Sequence, residues 1–183
     1  MRRVSVVGCS GSGKTTFAAR LAATLGVPHV EMDALHWGPD WAEASADELV
    51  ARVREATAGD TWVIDGNYQG KIGTLAWERA DAVVWLDLPR WRVMWQVLSR
   101  TAARAATGRE LWNGNRESWG GFALWRGEES VIWWAWTSHP DVRRRYEDAM
   151  RDPAYAHLAW HRLTSRAGAD AFLVDIVTGR QHG

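Results

Sequence analysis

Val4-Ser5-Val6-Val7-Gly8-Cys9-Ser10-Gly11-Ser12-Gly13-Lys14-Thr15-Thr16 contains the pattern G-x-x-x-x-G-K-[ST], running from Gly8 to Thr15. An apolar run precedes it and a helix-forming run follows, which is the context that makes the pattern specific. The chemistry of a phosphate chain calls for these residue types. Such a chain lies against backbone, so side chains have to be absent where it approaches, and Gly8, Gly11 and Gly13 leave that room. Successive N–H groups then turn inward, and the positive end of the following helix adds to them. Ser10, Ser12 and Thr16 belong to the same phosphate-holding stretch. Lys14 supplies a mobile point charge for the β and γ phosphates, and the Thr15 hydroxyl is placed to ligate Mg²⁺. The expected ligands are therefore ATP and Mg²⁺.

The 183 residues suit one domain spanning 1–183, with a lid-like segment at about 104–122. A hydrophobic content of 46% is enough for a core. The 22 basic and 22 acidic residues balance. No global field then draws the chain to nucleic acid or to a membrane surface. Only Lys14 and Lys71 among the basic residues are lysines, and Lys14 is the only lysine near an expected site. Cys9 is the single cysteine, which rules out an internal disulfide and fits a reducing, cytoplasmic compartment. The first apolar run is broken at Gly8, too short for a signal peptide, and no segment approaches a membrane span. Most of the 14 tryptophans are expected in the core, although that many rings also suit the wall of a cleft.

Apolar runs at 4–7, 29–32, 61–64, 82–86 and 158–163 read as strands, the second delivering Asp33 at its end. Helical spacing covers 14–25, 46–57, 71–79, 90–106, 122–136, 142–150 and 167–174. Ser45 with Glu48 predicts a capping box. Residues 34–41 and 108–121 read as loops, and His139-Pro140-Asp141 as a break between helices. Alternating strands and helices predict a parallel sheet covered on both faces, with ligands at the C-terminal strand ends. The glycine loop, Asp33, Asp65 and Asp87 then share one edge.

Asp65 closes an apolar strand and leads into the tight polar turn Gly66-Asn67-Tyr68, which suits it to manage Mg²⁺. Asp87 is a rival that reads better as a turn acid entering a helix. Asp33 is placed to orient or deprotonate an acceptor hydroxyl. Trp37 and Tyr68 suit stacking on a planar acceptor, and Asn67 shares that turn. His36 reads as structural, without a visible partner. Arg100 and Arg104 lie four apart on one helix face and are able to converge on one anion. Of Arg143, Arg144 and Arg145, at most two are able to face a site.

Several stretches carry a family resemblance: the glycine loop, Met32-Asp33-Ala34-Leu35-His36-Trp37, Trp62-Val63-Ile64-Asp65-Gly66-Asn67-Tyr68, and Leu86-Asp87-Leu88-Pro89-Arg90-Trp91 with the basic helix after it. With these the chain resembles the adenylate-kinase-like P-loop proteins known as DNA topology modulation proteins, over nearly its whole length. The resemblance implies an α/β P-loop NTPase fold of nucleoside-kinase type. Its five-stranded parallel sheet has the order 2-3-1-4-5, with helices on both faces and a helical lid. It also implies that Ser165 to Gly168 lie where such kinases hold adenine. Adenylate kinases carry Asp-Gly-Phe-Pro-Arg where this chain has Asp65-Gly66-Asn67-Tyr68. They also carry an arginine where it has Gln96, with Arg100 matching the second arginine of that pair.

The expected activity is transfer of the γ-phosphoryl group from Mg²⁺-ATP to a small-molecule acceptor. Lys14, Asp33, Arg100 and Arg104 carry the chemistry; Thr15 and Asp65 manage the metal; Asp33, Trp37, Asn67 and Tyr68 face the acceptor. Two alternatives stay open. One is an adenylate-type nucleoside monophosphate kinase, which the missing arginine of that turn argues against. The other is a nucleotide-dependent regulator or DNA-topology-modulating protein with slow ATP hydrolysis, to which neutral charge lends no support. The absence of an Asn-Lys-x-Asp motif argues against a GTPase. The oligomeric state is not legible.

Overall fold

The apolar runs form five strands: β1 (Arg3–Gly8), β2 (His29–Glu31), β3 (Trp62–Asp65), β4 (Ala82–Leu86) and β5 (Ala159–Leu163). The computed structural model describes residues 1–107, 113 and 131–179, with the backbone alone for 101–107 and 131–135. All four strand pairs are parallel, in the order β2-β3-β1-β4-β5. This is the expected sheet. Eight helices are described around it: α1 (Lys14–Leu25), α2 (Met32–His36), α3 (Ala46–Ala56), α4 (Gln69–Ile72), α5 (Leu75–Arg79), α6 (Arg90–Thr107), α7 (Val131–Ala149) and α8 (Arg166–Thr178).

Successive strand residues point to opposite faces, so each inner strand feeds two cores. Val4, Val6, Val63 and Val84 meet Phe17 and Leu21 of α1 and Leu173 of α8. Val7, Trp62, Ile64, Val83 and Trp85 meet Leu49 and Val53 of α3, Trp77 of α5 and Tyr146 of α7. Trp62 and Trp85 are each 1% exposed. Burying an apolar side chain of large size contributes about 1.5–3 kcal/mol. Among the described tryptophans Trp62, Trp77 and Trp85 are core, whereas Trp91 and Trp95 of α6 are 66% and 69% exposed. The capping box forms as predicted, with Glu48 N–H donating to Ser45 Oγ and Ser45 N–H to Glu48 Oε2.

Three local expectations are corrected. Strand β2 stops at Glu31, and Asp33 stands in the first turn of α2 instead of at a strand end. Buried Met32 starts that helix, and a 3-10 turn at Pro39–Trp41 occupies more of the expected loop. The single helix expected over 71–79 is two pieces, divided where Gly73 takes φ +58°. Pro140 does not break the chain: α7 runs through it. Proline removes the N–H that would bond the carbonyl four residues back, and here Arg90 Nη2 donates to that Trp136 oxygen at 2.5 Å. The Arg90 guanidinium also lies 3.5 Å from the Trp136 ring centroid. The lid expected over 104–122, and the helix over 122–136 before residue 131, lie outside the described residues.

Candidate active site

The chain leaves β1 at Gly8 and turns through residues 9–13 into α1. Ser12 N–H donates to the Cys9 carbonyl at 3.0 Å, closing the turn, and Gly13 N-caps α1 at φ +88°. A Cβ on Gly13 meets nothing within 4 Å, so there the positive φ, and not crowding, favours glycine. Gly11 is different. A Cβ at this position comes 2.2 Å from Val97 Cγ2, so its side chain is excluded by the packing of α6 on the loop. Thr15 is half-buried and Thr16 exposed. Ser12 Oγ is buried without a hydrogen-bond partner, a free polar atom inside the loop.

Lys14 Nζ donates to the Cys9 carbonyl at 3.1 Å. Burial pulls its ammonium below the usual lysine range, the carboxylates of Asp33 and Asp65 oppose this, and Arg100 adds to it. Three expected site residues therefore act on one cation. Burial also raises the Cys9 thiol, which leaves it a poor nucleophile at neutral pH.

Asp65 ends β3 in register with Val6 and is 4% exposed. Its Oδ2 has no hydrogen-bond partner, and its Oδ1 lies 3.7 Å from His29 Nε2. A buried carboxylate oxygen of this kind suits a cation or its water shell. Asp87 is committed elsewhere. Its Oδ2 accepts from Arg162 Nε at 2.8 Å and Nη2 at 2.5 Å, and Arg143 Nη2 stands 3.7 Å away. Glu147 joins both arginines, so Arg143 faces this ion network rather than the glycine loop. Among the described residues no three His, Cys, Asp or Glu side chains form a metal cage. Mg²⁺ in such sites is held by one or two protein oxygens, phosphates and water, so the donors present fit it.

Tyr68 donates its hydroxyl to Asp33 Oδ1 at 2.7 Å. Burial, with the Asp33 charge behind it, pushes the Tyr68 phenol far up, so it stays a donor. His36 is 2% exposed, its ring between Trp37 and Tyr68 at centroid distances of 4.6 and 4.9 Å. Burial and then Lys71 hold its imidazole below the usual histidine range. Lys71 Nζ donates to His36 Nε2 at 3.1 Å and to Glu43 Oε2 at 2.6 Å. Trp41 packs edge-on against Trp37 at 5.6 Å, and Asn113 Nδ2 donates to the Trp37 carbonyl.

Asp33, Trp37 and Tyr68 thus come together beside Lys14. Asn67 does not join them: its amide is bonded to the backbone of Gly8 and to the Tyr146 hydroxyl, which commits it to the glycine loop and α7. His36 has the partners its sequence context hid, and Lys71 is a second lysine at the site, against expectation. Gln96 was also unread as a contact. With its nitrogen turned to the loop it donates to the Gly11 carbonyl at 2.9 Å, while its oxygen accepts from Arg166 Nη2 at 2.6 Å. Arg104 lies in α6, its side chain outside the described set.

Sheet order, glycine loop and the acid ending β3 define a P-loop NTPase fold of kinase-like form. The profile of the ATPase family associated with various cellular activities (AAA) matches residues 4–65, from the start of β1 to the end of β3. A shikimate kinase from Acinetobacter baumannii, solved in complex with shikimate, is similar over 100% of this chain and 96% of its own, with TM-score 0.59 and 15% identity. A gluconokinase from Sinorhizobium meliloti 1021 matches over 97% of this chain and 94% of its own, with TM-score 0.47 and 16% identity. No curated protein matches the chain. Among the described residues no helix is long and apolar enough to cross a membrane.

Proposed function

We propose that this chain transfers the γ-phosphoryl group of Mg²⁺-ATP to a hydroxyl of a small-molecule acceptor held beside Asp33, Trp37 and Tyr68. One observation carries the reading: Asp65 ends β3 beside the glycine loop with a buried Oδ2 that no hydrogen bond satisfies, and Asp33 at the same sheet edge is held through one oxygen by the Tyr68 hydroxyl at 2.7 Å. The resemblance to DNA topology modulation proteins belongs to this reading as a relation between nucleotide-binding proteins. It assigns no DNA contact to the chain.

Residues of the loop from Gly8 to Thr16 hold the triphosphate, with Lys14 toward its β and γ phosphates. Thr15 and Asp65 would hold Mg²⁺, whose charge would offset that of the phosphates. Tyr68 occupies one oxygen of Asp33 and leaves the other for the acceptor hydroxyl. Asp33 orients that hydroxyl and receives its proton as the new O–P bond forms and the bond to the β-phosphate oxygen breaks, with ADP leaving. Arg100 and Arg104 stand against the charge that develops on the transferring group. Trp37 walls the acceptor, and neutral His36, fixed by Lys71, backs that wall.

The test is an ADP-release assay with wild-type protein and a panel of sugars, hydroxy acids, aminoglycosides and nucleotides. The reading expects a non-nucleotide acceptor to raise ADP release well above the ATP-only rate. A kcat/KM for AMP above about 10⁶ M⁻¹s⁻¹, in the upper range for enzymes, would restore the nucleoside monophosphate kinase reading.

A further inference from the structure

Strand β3 pairs with β1 in the register Val6↔Asp65. Two residues further on, the same register places Asn67 opposite Gly8. The backbone ladder stops short of that pair, because Gly66 takes φ +145° and bends the chain away beside Met32. The Asn67 side chain completes the pairing. Its Nδ2 donates to the Gly8 carbonyl at 2.5 Å, and its Oδ1 accepts from Gly8 N–H at 3.3 Å. A carboxamide has one donor end and one acceptor end, like a peptide, so it is able to replace the missing strand neighbour.

Tyr146 fixes this carboxamide from behind, donating its hydroxyl to Oδ1 at 2.8 Å. Two donors therefore meet the oxygen and one acceptor meets the nitrogen, and the amide orientation follows. Burial raises the Tyr146 phenol, so it remains a donor. Tyr146 is itself immobilised: it is 0% exposed, with its ring against Trp77 at 6.1 Å and Trp85 at 5.7 Å. A chain of contacts runs from the core through α7 to the first glycine of the phosphate loop.

We infer that Asn67 is a positioning residue of the phosphate loop, locked by Tyr146, and that it sets nucleotide affinity by fixing the Gly8 peptide before the ligand arrives. This rests on the proposal that the loop holds nucleotide phosphates. Pre-fixed backbone donors spend less of the binding energy on ordering themselves.

The experiment measures binding of a Mg²⁺-bound non-hydrolysable ATP analogue by calorimetry, with thermal unfolding alongside. The proteins are wild type, Asn67→Ala, Asn67→Asp, Tyr146→Phe and the double variant Asn67→Ala/Tyr146→Phe. Losing the amide is expected to weaken binding about tenfold, equivalent to roughly one to two ordinary hydrogen bonds. Asn67→Asp keeps the size and the acceptor but lacks the donor for the Gly8 carbonyl, so it is expected to bind nearly as weakly as Asn67→Ala. Tyr146→Phe should lose a few-fold, and the double variant should be no worse than Asn67→Ala, because both act through one contact. Multiplying losses in the double variant, full affinity in Asn67→Asp, or a lower unfolding temperature with unchanged affinity would each overturn the inference. If Asn67→Ala does not fold, unchanged affinity in Tyr146→Phe overturns it alone. A wild-type protein that binds no analogue would instead overturn the phosphate-loop reading itself.

Discussion

Lys14 is held between opposing influences: burial in the loop lowers its ammonium, and the Asp33 and Asp65 carboxylates raise it. Incoming phosphates add to the second set. Nucleotide affinity is therefore expected to be full below the pKa of Lys14 in the free protein, and to fall as pH rises through the window between that lowered value and the higher value in the complex. Analogue binding followed from about pH 7 to about pH 10 reads this, since the ordinary lysine value is near 10.4. A flat or rising affinity contradicts it. Lys14→Ala is expected to lose at least ~10³ in turnover, about 4 kcal/mol, with the unfolding temperature preserved; near wild-type turnover contradicts the assignment. For the two strand-end acids the structure separates what composition left close. Asp65→Asn should raise the Mg²⁺ required for half-maximal rate, whereas Asp87→Asn should leave it and instead cost about 1–3 kcal/mol of stability by weakening the Arg162 contact. A Mg²⁺ titration in which Asp87→Asn shows the larger shift would reverse the roles. Lys71 shows what the sequence withheld at this scale. It is one of two lysines among 22 basic residues, but its contact with His36 spans 35 positions and depends on how α2 and α4 meet.

At the scale of elements, α7 holds a proline in its interior at the cost of one carbonyl, which Arg90 satisfies from the start of α6. Arg90→Ala should destabilise the protein by about 0.5–1.5 kcal/mol, the net worth of an ordinary hydrogen bond, because the Trp136 carbonyl is exposed and water replaces the guanidinium. Pro140→Ala in that background should recover part of the loss, because the restored N–H reaches the same Trp136 oxygen. Equal unfolding temperatures for Arg90→Ala and wild type would contradict this role. The helix was not legible as one piece, since the compensating arginine lies 46 positions away. Elements whose signals are local were legible. Ser45 and Glu48 announce α3, and the apolar runs announce β1, β3 and β4 within a residue or two. Asp33 was misplaced by its element, not by its edge: β2 is three residues long, so helix α2 begins where the apolar run still reads as strand.

For the whole molecule, the order β2-β3-β1-β4-β5 brings the glycine loop of β1, Asp65 of β3 and Asp33 just after β2 to one side of the sheet. Parallel pairing makes this so, because every strand delivers its C-terminal end to the same edge. That much follows from the alternation of strands and helices, and the glycine loop marks the place along the edge where the chemistry is proposed. Of the side chains proposed to face an acceptor, Asp33 and Tyr68 are hydrogen-bonded and Trp37 stands one ring away across His36. Asn67 turns to Gly8 instead, because a side-chain amide filling a missing ladder position leaves no sequence pattern. The central claim, phosphoryl transfer to a hydroxyl oriented by Asp33, is tested most directly by ³¹P NMR of the reaction products, with Mg²⁺-ATP and the best acceptor from the panel. The account predicts a phosphomonoester resonance growing in step with ADP for the wild type, and slowed by at least ~10² in Asp33→Asn, the usual scale of general-base catalysis. Inorganic phosphate as the only new species with every acceptor, or an undiminished phosphomonoester from Asp33→Asn, would contradict it.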